Sequence, residues 1–288
     1  MKESPKKKGI LYLCATPIGN MRDITLRVID TLGSVDAVAC EDTRQTRKLF
    51  SAYKISKPLL SYREANSQKA GARIISMLME GRSVALVSDA GMPGVSDPGA
   101  DLVKRCIERD IEVRVVPGAN AALAALVLSG LPTDRFAFEG FLPKKESARE
   151  KYLREISREK RTLIFHESPL RLVATLRDML EVLGDRRVAV AKELTKRFET
   201  VLRGRISEVM EELKDLPEKG EFVIVLEGNP AGERQPDMYK ELEKVKRLLS
   251  EGYSLSESVK IVTTLEEGVQ KKRLYDLALR EIKPPEEI

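Results

Sequence analysis

Four short segments of this 288-residue chain hold residues able to do chemistry. They are Thr16-Pro17-Ile18-Gly19-Asn20, Glu41-Asp42-Thr43-Arg44, the stretch from Ser88 to Gly99, and Pro117-Gly118-Ala119-Asn120-Ala121. Carboxylates can hold a cation or accept a proton, and glycines let backbone approach a ligand closely. The stretch 88–99 carries Asp89 and Asp97 and no lysine or arginine. It suits a ligand with positive groups and hydroxyls better than a phosphate. No G-x-G-x-x-G follows the first apolar run and no Walker A sequence occurs, so the usual dinucleotide and nucleotide phosphate cradles are missing. The same residue types also make ordinary turns, and that reading stays open at this point.

The elements that would position these segments follow from hydrophobic spacing. Apolar runs at 10–15, 37–40, 83–87 and 112–116 read as strands, and each is followed by one of the four segments. Helical spacing covers 24–32, the stretch after Cys40 through Leu49, 67–80 and 100–109. Strand–helix alternation with continuous apolar strands predicts a mostly parallel sheet covered on both faces. In such sheets ligands bind at the carboxyl ends of the strands, where all four segments lie. After Pro117-Gly118 the pattern changes. A small-residue helix at 121–128 precedes strands at 136–139, 162–165, 187–191, 199–204 and 222–226, with helices from about Ser147 and over 169–183. Adjacent strands predict a mixed second sheet. Gly228-Asn229-Pro230-Ala231-Gly232 is a breaker cluster, and 239–250, 254–264 and 270–280 read as three short helices. The expected organisation is an α/β lobe over 1–117, a second α/β lobe over 118–229 and a helical tail over 237–288.

Composition narrows the function classes. A third of the residues are charged and 42% are hydrophobic, as in an ordinary soluble protein. A net charge of +5 permits a polyanionic partner without requiring one. Cys14, Cys40 and Cys106 lie far apart with no C-x-x-C, which argues against a disulfide framework or zinc site and for buried thiols. No apolar window approaches a membrane span, and no signal peptide follows the basic N-terminus, so the expected location is cytoplasmic. No His/Cys ligand cluster predicts a metal.

Further segments sharpen the reading: Phe138-Glu139-Gly140-Phe141-Leu142-Pro143, 162–168 (Thr-Leu-Ile-Phe-His-Glu-Ser), and Lys192-Glu193-Leu194-Thr195-Lys196. With 16–20, 41–44 and 88–99 they make six ordered motifs. From about Gly9 to Gly228 the chain resembles the ribosomal RNA small-subunit methyltransferase I family, a branch of the tetrapyrrole methylases. The resemblance implies two α/β lobes with S-adenosylmethionine between them, 2′-O-methylation of a cytidine in the decoding region of 16S rRNA within the 30S subunit, and a homodimer. Its sulfonium, ammonium and ribose hydroxyls suit the acidic stretch 88–99. Carried over residue by residue, the cofactor site comprises Pro17, Ser88, Asp89, Asn120, Ala121, Glu167 and Leu194. Gly220 and Glu221 would lie near the adenine. Asn120 stands where the fold commonly has a small hydroxyl residue.

A neutral ribose 2′-hydroxyl is a poor nucleophile and needs a base or a nearby positive charge. Glu41, Asp42 and Arg44 sit at the correct sheet edge, and Lys192 and Lys196 approach from the second lobe; the catalytic candidates are Glu41, Asp42, Arg44 and Lys192. A bland role competes, since Asp42 or Thr43 could simply cap the following helix for about 1 kcal/mol. His166, the only histidine, reads as packing rather than as a base. The segment 144–161 has eight basic and four acidic residues and could meet phosphates or form a solvated face. The tail resembles a helix-turn-helix unit, with Glu267-Gly268-Val269 as turn and Lys271, Lys272 and Arg273 as RNA contacts, or else a brace. Two rival functions remain: a small-molecule tetrapyrrole methyltransferase of the same fold, and a non-enzymatic nucleic-acid-binding regulator built on the tail.

Overall fold

The structure is a computed structural model that describes residues 7–97, 99–215, 220–229, 238–265, 269 and 271–281. It forms two compact units, 1–228 and 229–288. The first unit contains two five-stranded sheets.

Continuous apolar runs make the strands of the first sheet: β1 (Ile10–Cys14), β2 (Ala37–Cys40), β3 (Leu59–Ser61), β4 (Val84–Val87) and β5 (Glu112–Val116). Their order is β3-β2-β4-β1-β5, and every neighbouring pair is parallel. Parallel pairing requires a crossover after each strand, and the crossovers here are α1 (Leu26–Ser34), α2 (Thr43–Tyr53), α3 (Ser67–Met79) and α4 (Ala100–Ile107). Alternate strand residues feed two apolar layers. Leu11, Leu13, Ala39 and Leu86 pack with Ile74, Leu78 and Leu102 from α3 and α4. Cys14, Val38, Cys40 and Val87 pack with Val28, Leu32, Leu49 and Phe50 from α1 and α2. All three cysteines are free and buried.

The second sheet runs β6 (Phe136–Phe141), β7 (Thr162–Glu167), β10 (Phe222–Leu226), β8 (Arg187–Lys192), β9 (Thr200–Arg205). β6 and β7 are parallel, and the other three pairs are antiparallel, so the sheet is mixed as expected. One face carries α6 (Glu146–Glu155), α7 (Leu172–Leu183) and α8 (Ile206–Glu212) over a layer including Leu153, Phe165, Leu176, Val190 and Ile224. A buried ion pair, Arg149 to Asp178 at 2.5 Å, ties α6 to α7. The other face holds α5 (Ala121–Ser129), whose Ala122, Ala125 and Leu126 pack with Ile164, Ala189, Val223 and Val225. Ile18, from the loop after β1, and Leu194 join this layer.

Three departures from the sequence expectations have local causes. The strand β3 was not expected, because three residues between Pro58 and Tyr62 are too few to show a period. The helix α8 was not expected either; it is seven residues long and starts where the Glu208 carboxylate accepts from the Arg205 N–H. The helix expected from Pro169 begins at Leu172, because the Arg171 and Leu172 N–H groups both close a turn on the Ser168 carbonyl.

The second unit comprises α9 (Met238–Ser250), α10 (Leu255–Leu265) and α11 (Lys271–Glu281) around Leu242, Val245, Val259, Val262, Leu274 and Ala278. The expected turn residues Glu267 and Gly268 lie outside the described residues. Among the described residues no helix is long and apolar enough to cross a membrane.

Candidate functional site

The carboxyl edge of the first sheet is built by loops that hold one another. Thr16 and Gly91 form a two-way backbone bridge, with N···O distances of 2.8 and 3.1 Å, which pins the loop after β1 to the loop after β4. The Thr16 hydroxyl donates to the Ser88 carbonyl at 3.1 Å. The Ser88 hydroxyl turns inward onto the carbonyls of Ala90 and Gly91. Gly91 is at φ +78°, in the left-handed region where a side chain would strain the turn.

Two chambers open on this edge. The first, about 410 Å³, is lined by Ile18, Asp89 to Met92, Val95 to Asp97, Asn120 to Ala122, Phe138, Phe141, 166–169 and 220–223. The second, about 360 Å³, is lined by Thr16 to Gly19, Met21, Gln45, Thr46, Leu49, Ser88 to Ala90, Lys196 and Glu221. The two share Ile18, Asp89, Ala90 and Glu221.

Of the expected cofactor residues, Asp89, Asn120, Ala121, Glu167, Gly220 and Glu221 line the first chamber. Pro17 and Ser88 line the second. Leu194 lines neither and is buried in the layer beneath α5. Several of these side chains are already occupied. The Asn120 carbonyl oxygen caps α5 by accepting from the Leu123 N–H at 3.0 Å, which leaves the amide NH₂ as its donor. Glu167 is buried; its carboxylate accepts from the Thr175 hydroxyl and the Ser168 N–H, both at 2.7 Å, and lies 3.3 Å from Arg171. It therefore shapes the wall and anchors α7. His166 also lines the first chamber, with Phe138 and Phe141 ring centroids 5.2 and 5.5 Å away. Burial holds its pKa below the usual imidazole value, so it is neutral at pH 7 and packs as an aromatic.

The catalytic candidates from the sequence line neither chamber. Asp42 caps α2 through the Arg44 N–H at 2.8 Å, and its carboxylate pairs with the Arg44 guanidinium at 2.7 Å. Those bonds hold its pKa down to about 2, the wrong direction for a proton acceptor. Glu41 offers its carbonyl to Arg63, while burial and the nearby Asp89 raise its carboxyl pKa. Lys192 is buried at the end of β8 with its ammonium 5.5 Å from the Phe222 ring centroid. The lysine on a chamber wall is Lys196.

Asp97 is the main residue missing from the sequence assignment. It lines the first chamber, and burial together with Glu41 and Asp89 pushes its pKa up to about 6. The signal was present, since Asp97 is the second aspartate of the unbalanced 88–99 stretch, but nothing in the sequence showed that the loop folds back to bring it near Asp89. Like charges held together in a partly dry site favour a cationic ligand. Among the described residues no group of three or more His, Cys, Asp or Glu side chains is placed to hold a metal ion.

The family model of the Tetrapyrrole (Corrin/Porphyrin) Methylases matches residues 10–210. The chain is 46% identical to the ribosomal RNA small subunit methyltransferase I of Halalkalibacterium halodurans over 274 residues, 94% of each chain. Its relative of the same name in Thermotoga maritima is 47% identical over 220 residues, which cover 76% of this chain and 99% of the relative. Among solved structures, a diphthine synthase superposes with TM-score 0.59 at 14% identity, covering 76% of this chain and 90% of that one. A uroporphyrin-III C-methyltransferase from Thermus thermophilus, complexed with S-adenyl homocysteine, gives 0.53 at 21% identity, covering 75% and 97%.

The Asp97 environment gives a signed expectation. A carboxyl whose folded pKa is raised from 3.8 to about 6 costs stability once ionised, and that cost is relieved as pH falls through 6. Asp97→Asn should therefore stabilise the protein at pH 7.5, on the order of 1 kcal/mol after solvent screening, and not at pH 3.5. Thermal unfolding at the two pH values checks this; equal effects at both would contradict it.

Proposed function

The chain belongs to the tetrapyrrole methylase family, in its ribosomal RNA small subunit methyltransferase I branch, and on that premise we propose that it transfers a methyl group from S-adenosylmethionine to the 2′-oxygen of a cytidine in the decoding region of 16S rRNA. The observation that carries the cofactor reading is the first chamber, which sets an acidic rim, Asp89 and Asp97, against an apolar wall that includes Ile18, Ala121, Ala122 and Phe138. The carboxylates suit the cofactor's positive groups and ribose hydroxyls, the Asn120 amide offers a donor, and the apolar wall suits a purine. Bound there, the cofactor supplies an electrophilic methyl group. The chain's part is to hold the acceptor oxygen in line with that methyl and to exclude water. The identity to relatives named as ribosomal RNA methyltransferases favours RNA over a free tetrapyrrole. The loaded cleft argues against a purely binding protein.

Incubation with labelled cofactor and undermethylated 30S subunits should label 16S rRNA at a ribose, leaving one phosphodiester resistant to alkaline cleavage. Prior chelator treatment should leave the rate unchanged. Label on protein or on an added tetrapyrrole, with none on RNA, would overturn the assignment.

The homodimer rests on α5. Leu123 and Val127 of that helix are 47% and 75% exposed, and Val115 beside it in sequence is 51% exposed. A helix apolar on every side calls for cover on its outer side too, and a second copy of the same surface would supply it. Sedimentation at micromolar concentration should give about twice the chain mass of 32.3 kDa. Val127→Glu should shift it to one chain mass, and a monomeric wild type would end the proposal.

RNA contact by the tail is a separate proposal. Lys271 and Lys272 are exposed at the start of α11, and the Arg273 side chain lies outside the described residues. Substituting all three by alanine should weaken subunit binding and flatten its salt dependence, through fewer released counterions. Cofactor affinity should stay unchanged, whereas Asp89→Ala should raise the cofactor Kd about tenfold to a hundredfold. Loss of cofactor affinity in the triple variant would make the tail a brace. The Thermotoga maritima relative matches this chain over a length close to that of the first unit alone. The tail is thus expected to add affinity rather than chemistry.

A further inference from the structure

The second chamber adjoins the first along Ile18, Asp89, Ala90 and Glu221, and its outer wall is a lysine held by a network of close contacts. Lys196 lies across Gly19 so closely that a Cβ there would sit 2.5 Å from its Cγ. Its ammonium donates to Glu193 at 3.0 Å and to Glu221 at 3.2 Å. The Glu193 side chain in turn rests on Gly220, at φ +111°, where a Cβ would lie 2.7 Å from its carboxyl oxygen. It also accepts from the Glu221 N–H at 3.0 Å. Glu193 and Thr195 are both non-glycine residues at positive φ, 52° and 65°. Left-handed backbone at two of three successive residues costs energy and persists only where the surroundings enforce it. Here the Thr195 hydroxyl accepts from the Asn20 N–H at 3.0 Å, and the Thr195 N–H donates to Glu199 at 2.5 Å. The outcome of this strained loop is a lysine with a fixed stem and two of its three N–H donors in use. The ion partners raise its pKa, so the group stays charged at neutral pH and acts as a donor, not a base.

The chamber's chemistry fits a nucleoside that is part of a larger molecule. Besides Lys196, its lining offers the exposed Gln45 amide, both donor and acceptor, on the first turn of α2. Segments that line it also carry Arg22, Arg47 and Lys48, which make no ion pair among the described residues. The first chamber meets it along Ile18, Asp89, Ala90 and Glu221. In-line transfer requires the acceptor oxygen and the leaving sulfur on opposite sides of the methyl group, so two chambers sharing one wall are what a displacement needs.

We propose that the second chamber receives the acceptor nucleoside of the RNA, with the Lys196 ammonium and the Gln45 amide as its polar contacts and Arg22, Arg47 and Lys48 meeting the adjoining phosphates. The assignment rests on the ribosomal RNA methyltransferase reading and says where in the cleft that substrate is held. The test compares Lys196→Met, Lys196→Arg and Gln45→Leu with wild type on undermethylated 30S subunits. Three quantities are measured: KM and kcat for subunits, subunit binding without cofactor at two salt concentrations, and cofactor Kd by calorimetry. Lys196→Met should raise KM and the subunit Kd about tenfold, leave the salt slope unchanged because its contact is to the nucleoside and not to a phosphate, and leave the cofactor Kd within about twofold. Lys196→Arg should recover most of the subunit affinity, which a purely structural role of the stem would not require. Gln45→Leu, at an exposed position that folding does not depend on, should raise KM with the salt slope unchanged. If neither Lys196→Met nor Gln45→Leu alters subunit affinity while wild type methylates the subunit, the second chamber is not the nucleoside site. A tenfold loss of cofactor affinity in Lys196→Met with subunit binding intact would move Lys196 to the cofactor and equally overturn it. Wild type inactive on subunits would instead bring down the reading on which it rests.

Discussion

The need to bury a parallel sheet on both faces organises this molecule. Strands such as Val84–Val87, buried at every residue, have no solvent side. Each must be followed by a crossover that returns to the same end, and helices are the crossovers that also supply apolar cover. Leu32 and Phe50 seal one face, and Ile74 and Leu102 the other. The connections leaving the strands therefore all emerge along one edge. Chemistry gathers there because the edge is where backbone and polar side chains are free of the packing requirement.

That edge is then tightened by loop-to-loop bonds rather than by more core. The Thr16–Gly91 bridge and the Thr16 hydroxyl on the Ser88 carbonyl close the loops after β1 and β4 on each other. Their closure crowds Asp97 and Glu41 with Asp89, which disfavours ionisation of Asp97 and Glu41 and leaves the cleft short of positive charge. Across the cleft the compensation is asymmetric. The loop that follows β8 brings one clamped cation, Lys196, between Glu193 and Glu221. Stability is given up at both places, as ionised carboxylates near one another and as left-handed backbone at Glu193 and Thr195. Both features suit the proposed pairing of a cationic cofactor with an acceptor nucleoside.

Residue type alone was a poor guide to role within these loops. Asp42 and Arg44 carry the charges expected of catalysts, yet they pair with each other and cap α2. Glu167 lines the first chamber with a carboxylate already committed to Thr175, Ser168 and Arg171. Lys192 and Lys196 are four residues apart in one motif, but a strand end buries the first beneath Phe222 and a strained turn presents the second to a chamber. Such differences depend on which neighbour arrives first at a hydrogen-bonding group, and spacing along the chain does not encode that.

The sequence by itself determined four of the first sheet's five strands, their parallel pairing, the mixed character of the second sheet and the edge on which the polar loops gather. Those follow from local hydrophobic period and from the short reach of connections. The family resemblance, carried over residue by residue, also named Asp89, Asn120, Ala121 and Glu221 for the cofactor site, and these line the first chamber. Only the tertiary structure decided that the cleft has two chambers, that Asp97 folds back beside Asp89, and that Lys196 rather than Lys192 faces a chamber. Each of these depends on contacts between segments remote in sequence: Thr16 with Gly91 on one side, Asn20 with Thr195 and Gly19 with Lys196 across the cleft. Short β3 and the seven-residue α8 were illegible for a related reason, since neither is long enough to show a period and both exist because neighbouring elements give them partners.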